Sequence, residues 1–282
     1  MDEICDVVSE LIDLALREDI GSGDVTSLYF VPEDRVSHSS IHAKAPGVIA
    51  GMAVAMEVFR RVDPGLQMKQ LLKDGDEVKP GDHVLEIGGS ARSILTAERV
   101  VLNFLQRLSG VATQARQFVA RVEGTKAKVL DTRKTTPGWR ALEKMAVAAG
   151  GGTNHRMGLY DRAMVKDNHL VTQNKLEVLQ AAIHRLNADQ PDVKIELEAD
   201  TLEQVEDFLK LSGVDFILLD NMSNETMKRA VAMRGESGPL LEASGGVNLN
   251  TVAGIAQTGV DFISVGALTH SVMALDLSLE IH

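Results

Sequence analysis

Cysteine is almost missing from this 282-residue chain: Cys5 is the only one, so no internal disulfide framework can form, and that usage fits a reducing compartment. Long apolar runs are missing as well. None approaches the roughly 20 residues needed to cross a bilayer, so a membrane is not an expected partner. The N-terminus carries Asp2, Glu3 and Asp6 where a signal peptide would be basic, which makes the cytoplasm the expected location. Positive charge is in deficit, with 29 Lys and Arg against 40 Asp and Glu, a net charge of -11. A nucleic-acid surface usually needs a basic face, so nucleic acid is not an expected partner either. The rest is ordinary for a soluble globular protein: 44% hydrophobic and 24% charged residues, with enough chain for one barrel-sized domain or two smaller ones.

Patterning divides the chain in two. Ile4, Val7, Val8, Leu11, Ile12 and Ala15 recur at helical spacing, predicting an amphipathic helix over residues 3–18, followed by a loop at Gly21 to Thr26. Segments 39–51 and 82–88 read as strands, with Gly47 and Gly51 marking bends. Asp74 to Asp82 is a turn-rich hairpin of the kind found in lipoyl and biotinyl carriers. No lysine sits at its tip with suitable neighbours, so it is read as structural. A long helix is predicted over 95–122, broken near Ser109-Gly110.

From about residue 127 short apolar runs alternate with helical segments, and each run ends in a polar or small residue. Val129-Leu130 leads to Asp131, Ala163 to Val165 leads to Lys166, and Ile195 to Leu197 leads to Glu198. Phe216 to Leu219 leads to Asp220, Leu240 to Ala243 to Ser244, and Phe262 to Val265 to Gly266. Such alternation makes a parallel sheet with chemistry at the carboxyl ends of its strands. Six strands in this length fall short of a full eight-stranded barrel. The expected fold is therefore α/β, with an N-terminal α/β domain at 1–110 and an incomplete, open β/α barrel at 111–269. The tail, 270–282, is expected to return to the first domain.

At the expected strand ends, Thr132, Arg133 and Lys134 precede a helix containing Arg140 and Lys144. Gly150-Gly151-Gly152 then leads to Asn154, His155 and Arg156, and the next strand ends in Lys166, Asp167, Asn168 and His169. Arg133, Lys134, His155, Arg156 and Lys166 would meet at one barrel mouth. Clustered like charge is costly unless an anion fills it, and arginine forks suit carboxylates and phosphates. The triglycine would let amides approach a ligand or turn tightly. Opposite stand Glu196 and Glu198, two apart on one strand, and Asp220. Carboxylates beside a phosphate site suit Mg²⁺, or could steady a cationic sugar carbon. Against this, the cations could be solvated surface groups, and the carboxylates could simply pair with Lys166 and Lys194. Ser244, Gly245, Gly246 and Gly266 suit phosphate binding through backbone amides, or tight packing turns. The other histidines are scattered without zinc-site spacing.

These segments together resemble the quinolinate phosphoribosyltransferase family. The resemblance rests on Asp131 to Gly138, Gly150 to Leu159, Lys166 to His169, Leu218 to Asn221, Glu242 to Gly246 and Ser264 to Thr269, with Glu18 to Asp24 and Thr96 to Asn103 upstream. It spans essentially the whole chain. Trp139 and Ala199 stand at positions expected to vary, and neither removes a charged group.

The resemblance implies an N-terminal α/β sandwich domain, an open β/α barrel and a homodimer. Arg133, His155, Arg156 and Lys166 would surround the two carboxylates of quinolinate, joined by Arg99 from the partner subunit. Lys134, Glu198 and Asp220 would face phosphoribosyl pyrophosphate (PRPP) and its Mg²⁺, with Glu198 and Asp220 as metal ligands directly or through water. Thr132 is grouped with the substrate contacts, and Lys134, Glu198 and Asp220 are the expected catalytic residues. Ser244, Gly245, Gly246 and Gly266 would hold the 5′-phosphate. The implied reaction gives nicotinate mononucleotide, pyrophosphate and carbon dioxide, in NAD biosynthesis. Three rivals are a paralogue with another acceptor, a barrel lyase using a Lys166 Schiff base, and a non-catalytic binding protein.

Overall fold

The coordinates are a computed structural model and describe residues 5–166 and 176–282. The chain divides into two compact units. The first comprises residues 1–116, 135–151 and 268–282, and the second 117–134 and 152–267. By its contacts, the first unit takes in residues 135–151 besides the N-terminal residues and the tail.

The first unit is built on an antiparallel sheet. Its strands are β1 (Val36–Ala43), β3 (Gln67–Gln70), β5 (His83–Ser90) and β12 (Leu277–Ile281), in the order β12-β1-β5-β3. The chain's last segment therefore pairs with β1, Ala43 opposite Leu277. Helix α1 (Asp6–Ile20) buries Val8 and Ile12, one turn apart, as its periodicity requires. A short helix, α2 (Val25–Phe30), begins inside the segment read as loop. Asp24 caps it by accepting the Ser27 N–H at 3.0 Å, a local signal that six residues of helix are too short to show as periodicity.

The segment read as one strand over 39–51 is instead β1 and the short β2 (Gly47–Val48), which pairs with β4 (Glu77–Val78). The hairpin around β4 has a structural task. Asp74 accepts the N–H groups of Gly51 and Met52 at 3.1 and 3.0 Å, capping α3 (Met52–Val62).

Helix α4 (Ala91–Arg121) runs for 31 residues without the break expected at Ser109-Gly110. Small residues stand there for packing. Ser109 Oγ accepts the Ala50 N–H at 3.0 Å, and a Cβ on Gly110 would lie 2.2 Å from the Met273 carbonyl oxygen. Gly150 ends α5 (Arg140–Ala149), and a Cβ there would lie 2.3 Å from the Ala112 carbonyl oxygen. Of the two uses proposed for the triglycine, close packing and turning is the one seen at this residue.

The second unit is a six-stranded parallel sheet. It consists of β6 (Lys128–Leu130), β7 (Arg162–Val165), β8 (Lys194–Ala199), β9 (Phe216–Asp220), β10 (Leu240–Ser244) and β11 (Phe262–Ser264). The order is β6-β11-β10-β9-β8-β7, which leaves β6 and β7 as the two edges. Beside β6 runs the segment at Thr153, bridged to Leu130. The barrel is open, as its strand count predicts.

Between the strands come α6 (Leu176–Asp189), α7 (Leu202–Leu209), α8 (Asn224–Arg234) and α9 (Val252–Ala256), with α10 (Ala267–His270) after β11. Thr201 and Gln204 start α7 with a capping box, and Ser223 caps α8. Strand alternation then sorts the side chains. Ile195, Leu197, Ile217, Leu219, Leu241 and Ala243 are buried, each contributing on the order of 1–3 kcal/mol. Glu196, Glu198, Asp220 and Glu242, at the alternate positions, project from the other face, and Asp220 and Glu242 reach the cavity described below.

Candidate active site

A cavity of about 530 Å³ opens in the second unit at the carboxyl ends of the parallel strands. Thr132, Arg133 and Lys134 reach it from the loop after β6, and His155 and Arg156 from the segment before β7. Lys166 follows β7, Asp220 ends β9, and Ser244, Gly245 and Gly246 follow or end β10. The sequence-predicted residues thus meet at one cavity, except three. Glu198 is 8% exposed and ion-pairs with Lys166 instead of lining the cavity. Gly266 follows β11 outside the lining, and Arg99 is exposed on α4, in the first unit. Asp167, Asn168 and His169 lie outside the described residues.

The carboxylate–lysine pairing weighed as the alternative is half right. Lys166 holds Glu198, whereas Lys194 pairs with Asp215, at 3.0 Å.

The floor of the cavity is a buried ionic layer. His155 Nε2 lies 3.3 Å from carboxylate oxygens of both Glu196 and Glu242. The Arg162 guanidinium is 3.5 and 3.9 Å from the same two residues and stacks on the Phe216 ring at 4.1 Å. Ser264 Oγ donates to Glu242, and Asp131, wholly buried at the end of β6, accepts the His155 N–H at 2.8 Å. Burial pushes the His155 pKa down, but the hydrogen bonds and charges of Glu196 and Glu242 outweigh it and raise it to about 9. His155 Nδ1, however, accepts the Arg156 N–H at 2.6 Å, which favours the neutral ring. Burial, then the nearby Glu196 charge, holds Glu242 above the usual carboxylate range, while His155 and Arg162 overcome burial to hold Glu196 below it. One proton shared between His155 and Glu242, with Arg162, therefore balances the two carboxylates.

His155, Glu196 and Glu242 are also the metal-capable group among the described residues, their ligand atoms lying within 4.8 Å of one another. Arg162 already neutralises that layer with the shared proton. A divalent ion would leave surplus positive charge in a buried place, so the group reads as an ion-paired floor.

Above the floor, Arg156 donates to the Arg162 carbonyl at 2.9 Å and to Met164 Sδ at 3.6 Å. Burial, followed by the nearby Arg133 charge, lowers its pKa. Two adjacent guanidinium groups in a cavity favour an anion between them. On the opposite side Asn221, at φ 52°, donates from Nδ2 to Asp220 Oδ2 at 2.6 Å. A Cβ on Gly245 would lie 2.1 Å from Asn221 Oδ1, and its φ of 96° also demands glycine.

Sequence reasoning missed Arg162 and gave Glu242 no role, although a signal was there. Arg162, Met164 and Lys166 are spaced by two, as are Glu196 and Glu198, and Glu242 and Ser244. A parallel barrel stacks inward side chains in layers, so the lower member of each pair belongs to the floor beneath the upper.

Comparison with known proteins agrees with this architecture. Residues 24–109 and 111–280 match the N-terminal and C-terminal domains, respectively, of quinolinate phosphoribosyl transferase. A Bacillus subtilis protein named probable nicotinate-nucleotide pyrophosphorylase [carboxylating] is 42% identical, across 97% of this chain and 93% of its own. The Mycobacterium leprae nicotinate-nucleotide pyrophosphorylase [carboxylating] is also 42% identical, across 98% of each. The structure of Streptococcus pyogenes NadC superposes with a TM-score of 0.92 at 38% identity, covering 100% of this chain and 99% of the other. With both domains matched and relatives of this identity along nearly its full length, the chain belongs to the quinolinate phosphoribosyltransferase family.

Proposed function

We propose that this protein transfers the phosphoribosyl group of PRPP to quinolinate with loss of carbon dioxide, forming nicotinate mononucleotide and pyrophosphate for NAD biosynthesis. The observation that carries the reading is charge placed against the global trend. Arg133, Lys134, Arg156 and Lys166 line one cavity in a chain of net charge -11. A pyridine diacid and a pyrophosphate are anions that such a cavity can seat, and the family membership names the pair.

In this reading Arg133 and Arg156 grip the carboxylates of quinolinate, with His155 beneath and Lys166 beside them. Arg99, exposed on α4, reaches the same substrate from the partner subunit of a homodimer. Thr132 accepts the Lys134 N–H at 3.1 Å, shaping the turn that aims Lys134 at the departing pyrophosphate. The Ser244-Gly245-Gly246 turn takes the 5′-phosphate through backbone amides, with Gly266 next along. The pyridine nitrogen forms its bond to the anomeric carbon as the carbon–oxygen bond to pyrophosphate breaks. The resulting positive nitrogen then draws in the electron pair of the bond to the adjacent carboxylate, which leaves as carbon dioxide, and the ring carbon left with that pair takes up a proton from solvent.

Asp220, at the cavity wall, is a hard oxygen donor suited to Mg²⁺, and Glu198 fits through its second oxygen or a water, since Lys166 holds the other. When bound with PRPP, Mg²⁺ would supply Lewis-acid charge at the pyrophosphate. Among the described residues no helix is long and apolar enough to cross a membrane. The single cysteine, a usage that fits a reducing compartment, supports a cytoplasmic location.

The test is direct: incubate the protein with quinolinate, PRPP and Mg²⁺, and follow carbon dioxide and nicotinate mononucleotide. Nicotinate mononucleotide appearing with equimolar carbon dioxide is expected. Turnover only with another acceptor would instead point to a paralogous activity.

A further inference from the structure

The first unit holds a buried ion pair that the transferase reading does not use. Glu143, on α5, has no exposed surface. Its Oε2 accepts the Thr136 N–H at 3.0 Å, and its Oε1 accepts Thr136 Oγ1–H at 2.9 Å and Arg107 Nη2–H at 2.8 Å. Arg107, on α4, donates through that same Nη2 to the Thr269 carbonyl at 2.7 Å. All four residues belong to the first unit. The chain is thereby held at two places, each one or two residues from where it enters that unit: at Thr136, in the loop two residues after Lys134, and at Thr269 on α10, three after the Gly266 turn.

A carboxylate taken wholly out of water is retained only when its donors satisfy it, and here the donors are a loop amide, a loop hydroxyl and an arginine. An isolated structural ion pair would have no need of both loops. We propose that Glu143 and Arg107 are positioning residues which fix, through Thr136 and Thr269, the two loops that hold opposite ends of the phosphoribosyl donor. The inference rests on the transferase reading, in which Lys134 meets the pyrophosphate and Gly266 adjoins the 5′-phosphate. The donor needs both loops in register. Quinolinate draws on Arg133 from one of them, but also on His155, Arg156 and Lys166, which the tether does not hold.

The structure also carries a reporter. Trp139, the chain's single tryptophan, follows Thr136 by three residues and stacks on Phe104 with ring centroids 4.9 Å apart. Loosening the tether should change its emission without any ligand.

The experiment measures KM for PRPP and for quinolinate separately in wild type, Glu143→Gln, Arg107→Lys and Thr136→Val. Thr136→Val keeps the N–H contact and sits at an exposed position, so it remains informative if the buried variants fold poorly. Expected is a rise in PRPP KM of about tenfold for Glu143→Gln and about threefold for Thr136→Val, with quinolinate KM moving about twofold or less. The Glu143→Gln and Arg107→Lys effects should combine less than additively, since they cut one network. Equal changes in both KM values, or no change in either, would overturn the proposal. A wild type without turnover sinks the transferase reading instead, and iodide quenching of Trp139 then decides the tether. Quenching raised in Glu143→Gln and Thr136→Val supports it, and quenching unchanged in both overturns it.

Discussion

His155 Nε2 lies 3.3 Å from Glu242 Oε2, with both side chains shut away from solvent. Their proton balance makes stability depend on pH. The folded-state pKa of His155, about 9, is above its ordinary value of 6.5. Its contribution is therefore fully present below about pH 6.5 and is lost as pH rises through 9. The difference corresponds to roughly 3 kcal/mol at most, and the Arg156 N–H at Nδ1 reduces it. Urea denaturation at pH 6, 7.5 and 9.5 should show wild type losing its advantage over His155→Gln across that window. A gap between the two that stays constant with pH would show that His155 is not the titrating group.

The guanidinium pair makes a second expectation. In the proposed reaction, removing Arg156 leaves a substrate carboxylate without its partner above a buried floor. Arg156→Ala, and likewise Arg133→Ala, should cost about 2–5 kcal/mol in transition-state stabilisation. Arg156→Lys should recover little, because an ammonium lacks the fork that reaches the Arg162 carbonyl while presenting a second donor to the substrate. Near-wild-type kcat/KM for quinolinate in either alanine variant would remove that arginine from the site.

How far these features could be read from the residues depended on their range. The six parallel strands announced themselves because each apolar run of β6 to β11 ends in a polar or small residue, a local signal. Lys166 and Asp220 followed, since a strand's carboxyl end faces the cavity wherever the strand lies in the sheet. The unbroken α4 did not follow. Ser109-Gly110 looks like a helix breaker until Ala50 and Met273, far away in sequence, are brought against it. Glu198 was assigned to the cavity when its nearest partner is Lys166 on the neighbouring strand, a pairing fixed by the register of β7 on β8. Arg162 was passed over because only stacking in layers reveals that it lies under Lys166.

The Lys166–Glu198 pair separates structure from catalysis. The lysine side chain is 43% exposed, so solvent screens the pair and its worth to stability should stay within about 1 kcal/mol. Lys166→Met is expected to leave the urea midpoint almost unchanged while lowering kcat/KM at least tenfold, about 1.4 kcal/mol, through loss of charge at the cavity. Large destabilisation with kinetics intact would make the pair a strut only. Borohydride treatment with a carbonyl substrate adds a check on the lyase alternative: no covalent adduct at Lys166 is expected, as its ammonium is held by a carboxylate instead of an apolar pocket that would favour the free amine.

Gly245 sets a geometric limit on the turn after β10. Its φ of 96° lies outside the range comfortable for an L side chain, and a methyl group would lie 2.1 Å from Asn221 Oδ1. Asn221 cannot simply yield, because its Nδ2 holds Asp220 and its backbone N–H bonds the Ser244 carbonyl at 2.9 Å. Gly245→Ala should therefore cost about 1–3 kcal/mol of stability and displace Asp220 with it. Gly246, with φ 60° and open space around the position of a Cβ, keeps the backbone cost but not the clash. Gly246→Ala should thus be the milder change, by about 1 kcal/mol or more. The comparison isolates the contact from the backbone strain. If the two alanine variants lost equal stability and equal activity toward PRPP, Asn221 would not be coupling the glycine turn to Asp220.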